Sequence, residues 1–413
     1  MADPRAPTLD DAEAEAARVR REKVNLVWSA DTVRDAGTLG RYWLAHPMVQ
    51  ARVNTLASGR PDMDAYGRLA ELLARRGWAL PIGRAISLGC GFGGLERDLA
   101  ARGLVRDMHA LDLAEGAIIE ARRLAEAAGF ETIRYQVADL EGASLPPGSA
   151  DVVFAHQSVH HIETLDELFQ AIRRALRPGG VLHLHEFVGP TRFQWTDAQL
   201  ALANGFLDSL PPRLRRTPSG APKGRLVRPT VAAMLAVDPT ESIRSAEIPG
   251  VLRRYFDVVE ERRLGGALLH IALGDIGQNF DPADPEARAV LERLFALEDE
   301  AMADGRIGSD FVTITATPKR EAPGAALRRF TGRAAASLGF RAAALPGRAE
   351  RAPPPAQATD AEEAPFDEAW YLDAYPDVRD GVADGTFESG HDHWLQFGKA
   401  EGRTPSGGGE TAG

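Results

Sequence analysis

Between Arg84 and about Gly189 the chain alternates short apolar runs (AISLG, MHALDL, IRYQVADL, ADVVFAHQ, GVLHLHEF) with windows of helical spacing such as EGAIIEARRLAEAAG and LDELFQAIRRAL. Strand-length apolar runs between amphipathic helices are the mark of repeated βα units, whose parallel strands are covered by helices. The pattern predicts an α/β fold over this stretch and sets the frame into which everything else must fit.

The flanks differ. Residues 1–80 carry apolar positions at helical spacing, as in AYGRLAELLARRG, and predict a helical N-terminal segment. From about 190 to 255 there are helical windows and clusters of Pro and Arg but no convincing strand, which reads as an inserted helical lid. FDVVEERR (256–263) and DFVTITATP (310–318) then read as strands closing the sheet as a hairpin-like pair, with the helical stretch EARAVLERLFALEDEAMADG between them. The main domain is thus expected over 81–319. Residues 320–365 turn to Ala, Arg and Pro, a composition that cannot bury much core and suits a flexible linker. Aromatics return in 366–406, which predicts a small C-terminal module.

Composition narrows the functional classes. With 44% hydrophobic and 26% charged residues over 413 positions, the chain is globular and long enough for two or three domains. Its formal charge of -11 argues against a broad nucleic-acid face. Cys90 is the lone cysteine, so neither an intramolecular disulfide nor a thiolate zinc site is available. No metal is expected. The longest apolar run, Leu264 to Gly274, is too short to span a bilayer, and a cytoplasmic location is the expectation.

Chemistry concentrates in AISLGCGFGGLERDLA. Gly89, Gly91 and Gly93 follow an apolar strand and precede a helix, where missing side chains let backbone amides approach a ligand at a helix N-terminus. Gly89, Gly91 and Gly94 also satisfy the dinucleotide-binding spacing. The next strand ends in HALDL, with Asp112 and Leu113 about twenty residues on, placed to accept from ribose hydroxyls. The third ends in QVADL, where Asp139 and Leu140 offer an acceptor beside an apolar surface, suited to the amine edge of an adenine.

These motifs resemble those of the class I S-adenosylmethionine-dependent methyltransferases: LGCGFG the glycine motif, LDL the ribose acid, ADL the adenine pair, ADVVFAHQSVHHI the fourth strand, LRPGGVLHLHEF the fifth. The resemblance covers about 81–190. It implies a Rossmann-like sheet, S-adenosyl-L-methionine as cofactor, and His156 lining it. It also points to His160 and Glu186 as candidate catalytic residues, since a histidine of pKa about 6.5 can take a proton from an attacking hydroxyl at neutral pH. One departure stands out. Where many members have an acid two residues before the first glycine, this chain has Ser87, and Glu96 is the candidate to help hold the cofactor's ammonium.

The acceptor should be met by segments outside the common core: Tyr42, Trp43, His46, Gln50, Arg52 and Asn54 in the N-terminal segment, Arg192, Gln194 and Trp195 in the lid, and His270 with Asp275 beyond it. Aromatics beside Arg, Gln and His fit a polar small molecule or a glycan, methylated on oxygen before nitrogen. YLDAYPDV with HWLQFGKAEGRTP resembles a short module of bacterial surface-polysaccharide proteins, which implies a protein partner and a place near glycan synthesis. Two alternatives remain open from sequence: a nicotinamide-dependent oxidoreductase, and a non-catalytic S-adenosylmethionine-binding scaffold.

Overall fold

The computed structural model describes residues 42–319, together with 366–375, 378, 379, 382 and 389–394 of a C-terminal unit. The expectations for 1–41 and for the linker at 320–365 lie outside the described residues. Contacts divide the chain into two units, Met1–Ala322 and Pro323–Gly413.

In the first unit two helices, α1 (Pro47–Ser58) and α2 (Ala65–Arg75), lead into the sheet. The next elements are β1 (Ile82–Leu88), α3 (Gly94–Ala101), β2 (Val105–Asp112), α4 (Glu115–Ala127), β3 (Ile133–Val137), β4 (Ala150–His156), α5 (Leu165–Ala175) and β5 (Leu176–Phe187). The lid follows as α6 (Asp197–Asp208), α7 (Val231–Val237) and α8 (Ile248–Tyr255). The chain closes with β6 (Phe256–Gly265), α9 (Leu269–Leu273), α10 (Pro285–Ala303) and β7 (Phe311–Pro318).

The seven strands lie in the order β3-β2-β1-β4-β5-β7-β6. The first five are parallel, and β7 inserts antiparallel between β5 and β6. The two final strands therefore pair as the expected hairpin-like closure, and the fold is a Rossmann-like α/β sheet. Successive strand residues face opposite sides. Ile86, Leu88, Val153 and Leu182 enter one core with α5 and α8, while Ala85, Met108, Val152 and Phe154 enter the other with α2 and α4. A third core joins α1, α6, α9 and α10 to Phe187 and Phe311.

Local signals explain the helix starts. Asp64 caps α2 by accepting from the Gly67 N–H, Thr196 and Gln199 form a capping box on α6, and Asp284 caps α10 ahead of Pro285. In the C-terminal unit α11 (Glu368–Ala374) starts at the cap Asp367, and with α12 (Gly390–His393) it surrounds a core of Tyr371, Val378 and Trp394. No helix among the described residues is long and apolar enough to cross a membrane.

Candidate active site

The parallel strands end on one edge of the sheet, and there the β1 to α3 loop borders a cavity of about 590 Å³. Gly89 and Gly91 are on its wall. Gly91 adopts φ of +50° and has nothing within 4 Å of where a Cβ would stand, so its backbone faces open space. Gly93 has a different role from the one its motif suggested. Its N–H is taken by the Cys90 carbonyl at 2.9 Å and a side chain there would strike the Tyr135 ring, so it packs the loop and Gly94 and Leu95 take its place on the wall.

Asp112 accepts from the Gly91 N–H at 2.7 Å and from the Ala114 N–H at 2.8 Å. It therefore holds the glycine loop to the end of β2, and a carboxylate keeps lone pairs for further donors. Burial raises its pKa against those hydrogen bonds. Leu113, Asp139 and Leu140 share the wall, with Asp139 accepting from the Glu141 N–H at 2.9 Å.

Ser87 and Glu96 meet across the loop. The Ser87 hydroxyl donates to Glu96 Oε1 at 2.5 Å, Glu96 is wholly buried, and its Oε2 has no hydrogen-bond partner. Both residues border the cavity. Burial, only partly offset by the Ser87 hydrogen bond, pushes the Glu96 carboxyl up to about 7. A buried carboxyl from the first turn of α3 thus stands against Ser87 at the end of β1.

The pair named for catalysis is placed elsewhere. Neither His160 nor Glu186 is on the wall of this cavity. Glu186 is wholly buried and accepts from the backbone N–H groups of Ser158 at 2.9 Å and of Val159 and Phe187 at 2.7 Å, besides meeting His160 Nδ1 at 2.5 Å. Although burial opposes it, the Glu186 carboxylate holds His160 protonated up to about 9. Both residues are corrected to structural roles: they tie β5 to the turn after β4, and an acid with all these donors around it has no reach toward a substrate. The other ring nitrogen of His160 faces Glu241 at 3.5 Å, and the His160 carbonyl accepts from the Ile243 N–H, so the pair also anchors the lid. His161, not His160, borders the cavity, with Nδ1 3.0 Å from the Thr240 hydroxyl.

His156, at the end of β4, does line the cavity. Its Nδ1 is 2.6 Å from the Tyr66 hydroxyl, and burial lowers its pKa. A second cavity of about 500 Å³ shares Asp64, Tyr66, His156 and Gln157 with the first. Gln157 sits at the junction with φ of +49°, a conformation that costs a non-glycine residue about 1 kcal/mol or more, and its side chain accepts from the Tyr42 hydroxyl at 2.8 Å. Of the N-terminal residues proposed to meet an acceptor, Tyr42, Gln50 and Asn54 line this second cavity. Trp43 is buried in the core, His46 caps α1, and Arg52 pairs with Glu298 and Asp299. Arg192, Gln194 and Trp195 bind or stack within the lid, and His270 packs among Phe187, Phe193 and Phe311; these four line neither cavity.

Sequence reasoning passed over Tyr66, Asp64 and His185. Their signal was faint. His183 and His185 alternate with Leu182 and Leu184 along β5, so both rings stand on one face, the face that α2 covers with Tyr66.

Residues 86–184 match the family described as a methyltransferase domain. The chain is similar to the malonyl-acyl-carrier protein O-methyltransferase of Enterobacter lignolyticus, 35% identical over 123 residues that make up 30% of this chain and 43% of that one. It is also similar to the sterol 24-C-methyltransferase of Yarrowia lipolytica, 28% identical over 131 residues, 32% of this chain and 34% of that one. The chain thus spans less than half the length of these curated relatives. Among solved structures it resembles an S-adenosylmethionine-dependent methyltransferase from Mesorhizobium loti, with 21% identity, a TM-score of 0.35, and 60% of this chain and 98% of that chain covered. Phosphoethanolamine N-methyltransferase 2 of Haemonchus contortus, in complex with S-adenosyl-L-methionine, is a further one, with 17% identity, a TM-score of 0.39, and 61% and 52% covered.

Proposed function

We propose that this chain, which carries a methyltransferase domain at residues 86–184, transfers the methyl group of S-adenosylmethionine to an oxygen of a polar small molecule or glycan. The observation that carries the reading is the gathering of Gly91, Glu96, Asp112 and Asp139 around one cavity at the C-terminal edge of the sheet. Each part of the cofactor has a fitting group. The orphaned, buried Oε2 of Glu96 suits an ammonium, Asp112 suits the ribose hydroxyls, and Asp139 with Leu140 suits the adenine edge. When bound, S-adenosylmethionine supplies a methyl group on a sulfonium, so alignment and exclusion of water contribute much of the rate.

The antiparallel β7, inserted between β5 and β6, argues against a nicotinamide oxidoreductase, whose classic doubly wound sheet is mostly parallel with the order 3-2-1-4-5-6. The names of the two curated relatives differ in the atom methylated, oxygen in one and carbon in the other, so the acceptor reading rests on the second cavity and not on the domain. We read the C-terminal unit as a docking module for a protein partner near glycan synthesis, on the pattern of Tyr371, Tyr375 and Trp394 alone.

Calorimetric titration with S-adenosylhomocysteine and, separately, NADH tests the proposal. Micromolar binding of S-adenosylhomocysteine, weakened at least tenfold in Asp112→Ala and Gly91→Val, is the expected result. Binding of NADH alone overturns it. Binding of S-adenosylhomocysteine with no methyl transfer to any sugar or phenol favours the scaffold.

A further inference from the structure

We infer that the second cavity receives the acceptor, that it selects an uncharged hydroxyl-bearing ring, and that His185 takes the proton released when the hydroxyl is methylated. The inference rests on the reading of the first cavity as the methyl-donor site.

Position comes first. The two cavities share Asp64, Tyr66, His156 and Gln157, so a donor in one and an acceptor in the other meet at those four residues. Charge comes next. Among the described residues no Lys or Arg lines the second cavity, and its one formally charged group, Asp64, is spent on Arg102 at 2.6 Å and on the Gly67 N–H at 2.7 Å. A phosphate or carboxylate would be buried there without a counter-charge, which is costly. The polar groups are the Tyr42 phenol, which donates to Gln157, and the amides of Gln50 and Asn54, which donate to Asn54 and to the Pro61 carbonyl; their remaining N–H groups and lone pairs are set among Leu44, Val53 and Ala57. Such donors and acceptors match hydroxyls on a mainly apolar ring.

His185 supplies the chemistry. It is on the cavity wall, only 9% exposed, and neither ring nitrogen has a hydrogen-bond partner. Its neighbours are committed: His156 Nδ1 to the Tyr66 hydroxyl, and His183 Nδ1 to the Thr315 hydroxyl at 2.9 Å. Buried polar atoms are nearly always paired, so an imidazole with both nitrogens buried and unpartnered beside a cavity points to a ligand partner. The ionisable groups facing it are His156 from β4, His183 from its own strand and Tyr66 from α2, while β7 presents Thr313. Burial, reinforced by the two histidines, keeps the ring neutral and able to accept a proton.

In the step, the acceptor oxygen forms a bond to the methyl carbon while the sulfur–methyl bond breaks and its electron pair stays on sulfur. The hydroxyl proton passes to the free ring nitrogen of His185. The positive charge that began on sulfonium ends on imidazolium, so the buried site gains no net charge. A methylated oxonium is so acidic that even an imidazole of depressed basicity removes its proton.

The test uses the full chain saturated with S-adenosylhomocysteine and saturation-transfer NMR of two matched pairs: phenyl glucoside against phenyl glucuronide, and 4-methylcatechol against 3,4-dihydroxybenzoate. The uncharged member of each pair should bind at least tenfold more tightly. Asn54→Trp and Gln50→Trp, which fill the cavity from α1, should abolish that binding while S-adenosylhomocysteine affinity stays within twofold. His185→Gln should keep probe binding, lower methyl transfer to the bound probe at least tenfold, and remove the acid limb of its pH profile. Equal or preferred binding of the anionic members, no binding of either uncharged probe, or binding untouched by both Trp variants overturns the inference. Failure of the wild-type chain to bind S-adenosylhomocysteine instead overturns the donor-site reading on which it rests.

Discussion

Glu96 and Glu186 are both wholly buried carboxylic acids, yet their surroundings drive them in opposite directions. Around Glu96 burial outweighs the Ser87 hydroxyl, a backbone N–H and the charge of Arg97, and pushes the acid up to about 7. An acid with a raised folded-state pKa binds more protons folded than unfolded. Its contribution to stability is therefore lost as pH rises from 4.5 through about 7. An incoming ammonium reverses the preference, so at pH 6 S-adenosylhomocysteine binding should release about one proton. Calorimetry in two buffers of different ionisation enthalpy measures this, and Glu96→Gln should abolish the release and weaken binding at least tenfold. Glu186 is instead surrounded by donors, and although burial opposes it, His160 and the backbone N–H groups hold its carboxyl below the usual range. Glu186→Ala should cost about 3–5 kcal/mol, because it leaves the buried N–H groups of Ser158, Val159 and Phe187 and the His160 ring without their acceptor, with the loss read from denaturant unfolding. His160, raised to about 9, contributes stability that is full below 6.5 and lost as pH rises through 9. The stability gap between wild type and His160→Gln should close over that window. The sequence showed that these acids and histidines exist. It did not show which of them would end up surrounded by donors, because Ser87 lies nine residues from Glu96 and Glu186 lies twenty-six from His160.

Strands and helices were legible where one period dominates. The central strands are continuous apolar runs and α5 carries an unbroken stripe of Leu165, Leu168, Phe169 and Ile172, so each element declares itself. The lid is different, because turns and short helices between Thr191 and Tyr255 are held by contacts distant in sequence. Arg192 is one such tie. Its Nη1 donates to the Pro239 carbonyl at 2.6 Å and the Glu241 carbonyl at 3.1 Å, and its own N–H donates to the Ser242 carbonyl at 2.8 Å. A guanidinium hydrogen bond contributes about 1.5–3 kcal/mol, so Arg192→Ala should speed amide exchange at Thr240 and Ile243 about tenfold or more while leaving the β4 and β5 amides unchanged. An arginine in a polar segment reads as substrate recognition from sequence. In the fold its reach is consumed by lid carbonyls.

At the scale of the molecule, contacts separate Met1–Ala322 from Pro323–Gly413, and the described residues that line the two cavities all belong to the first unit. Deleting 323–413 should leave S-adenosylhomocysteine affinity within twofold of the full chain, measured by the same calorimetry. Ligand at a hundred times its Kd should raise the stability of the first unit by about 2.7 kcal/mol, visible as a higher Tm in both forms. A loss of affinity in the shortened chain would show that the second unit supports the first.

The sequence by itself determined the sheet and its donor edge, because strand period and helix period are local properties and the glycine loop joins one directly to the other. It also placed Asp112 and Asp139, since residues at successive parallel strand ends come together by topology alone. Only the tertiary structure decided that Glu96 is buried against Ser87 beside the cavity, that His160 and Glu186 are a buried pair, and that both ring nitrogens of His185 are buried without a partner. Those outcomes depend on how many donors crowd one atom once α2, β5, β7 and the lid have packed, and that number is a property of three-dimensional contact that no spacing along the chain encodes.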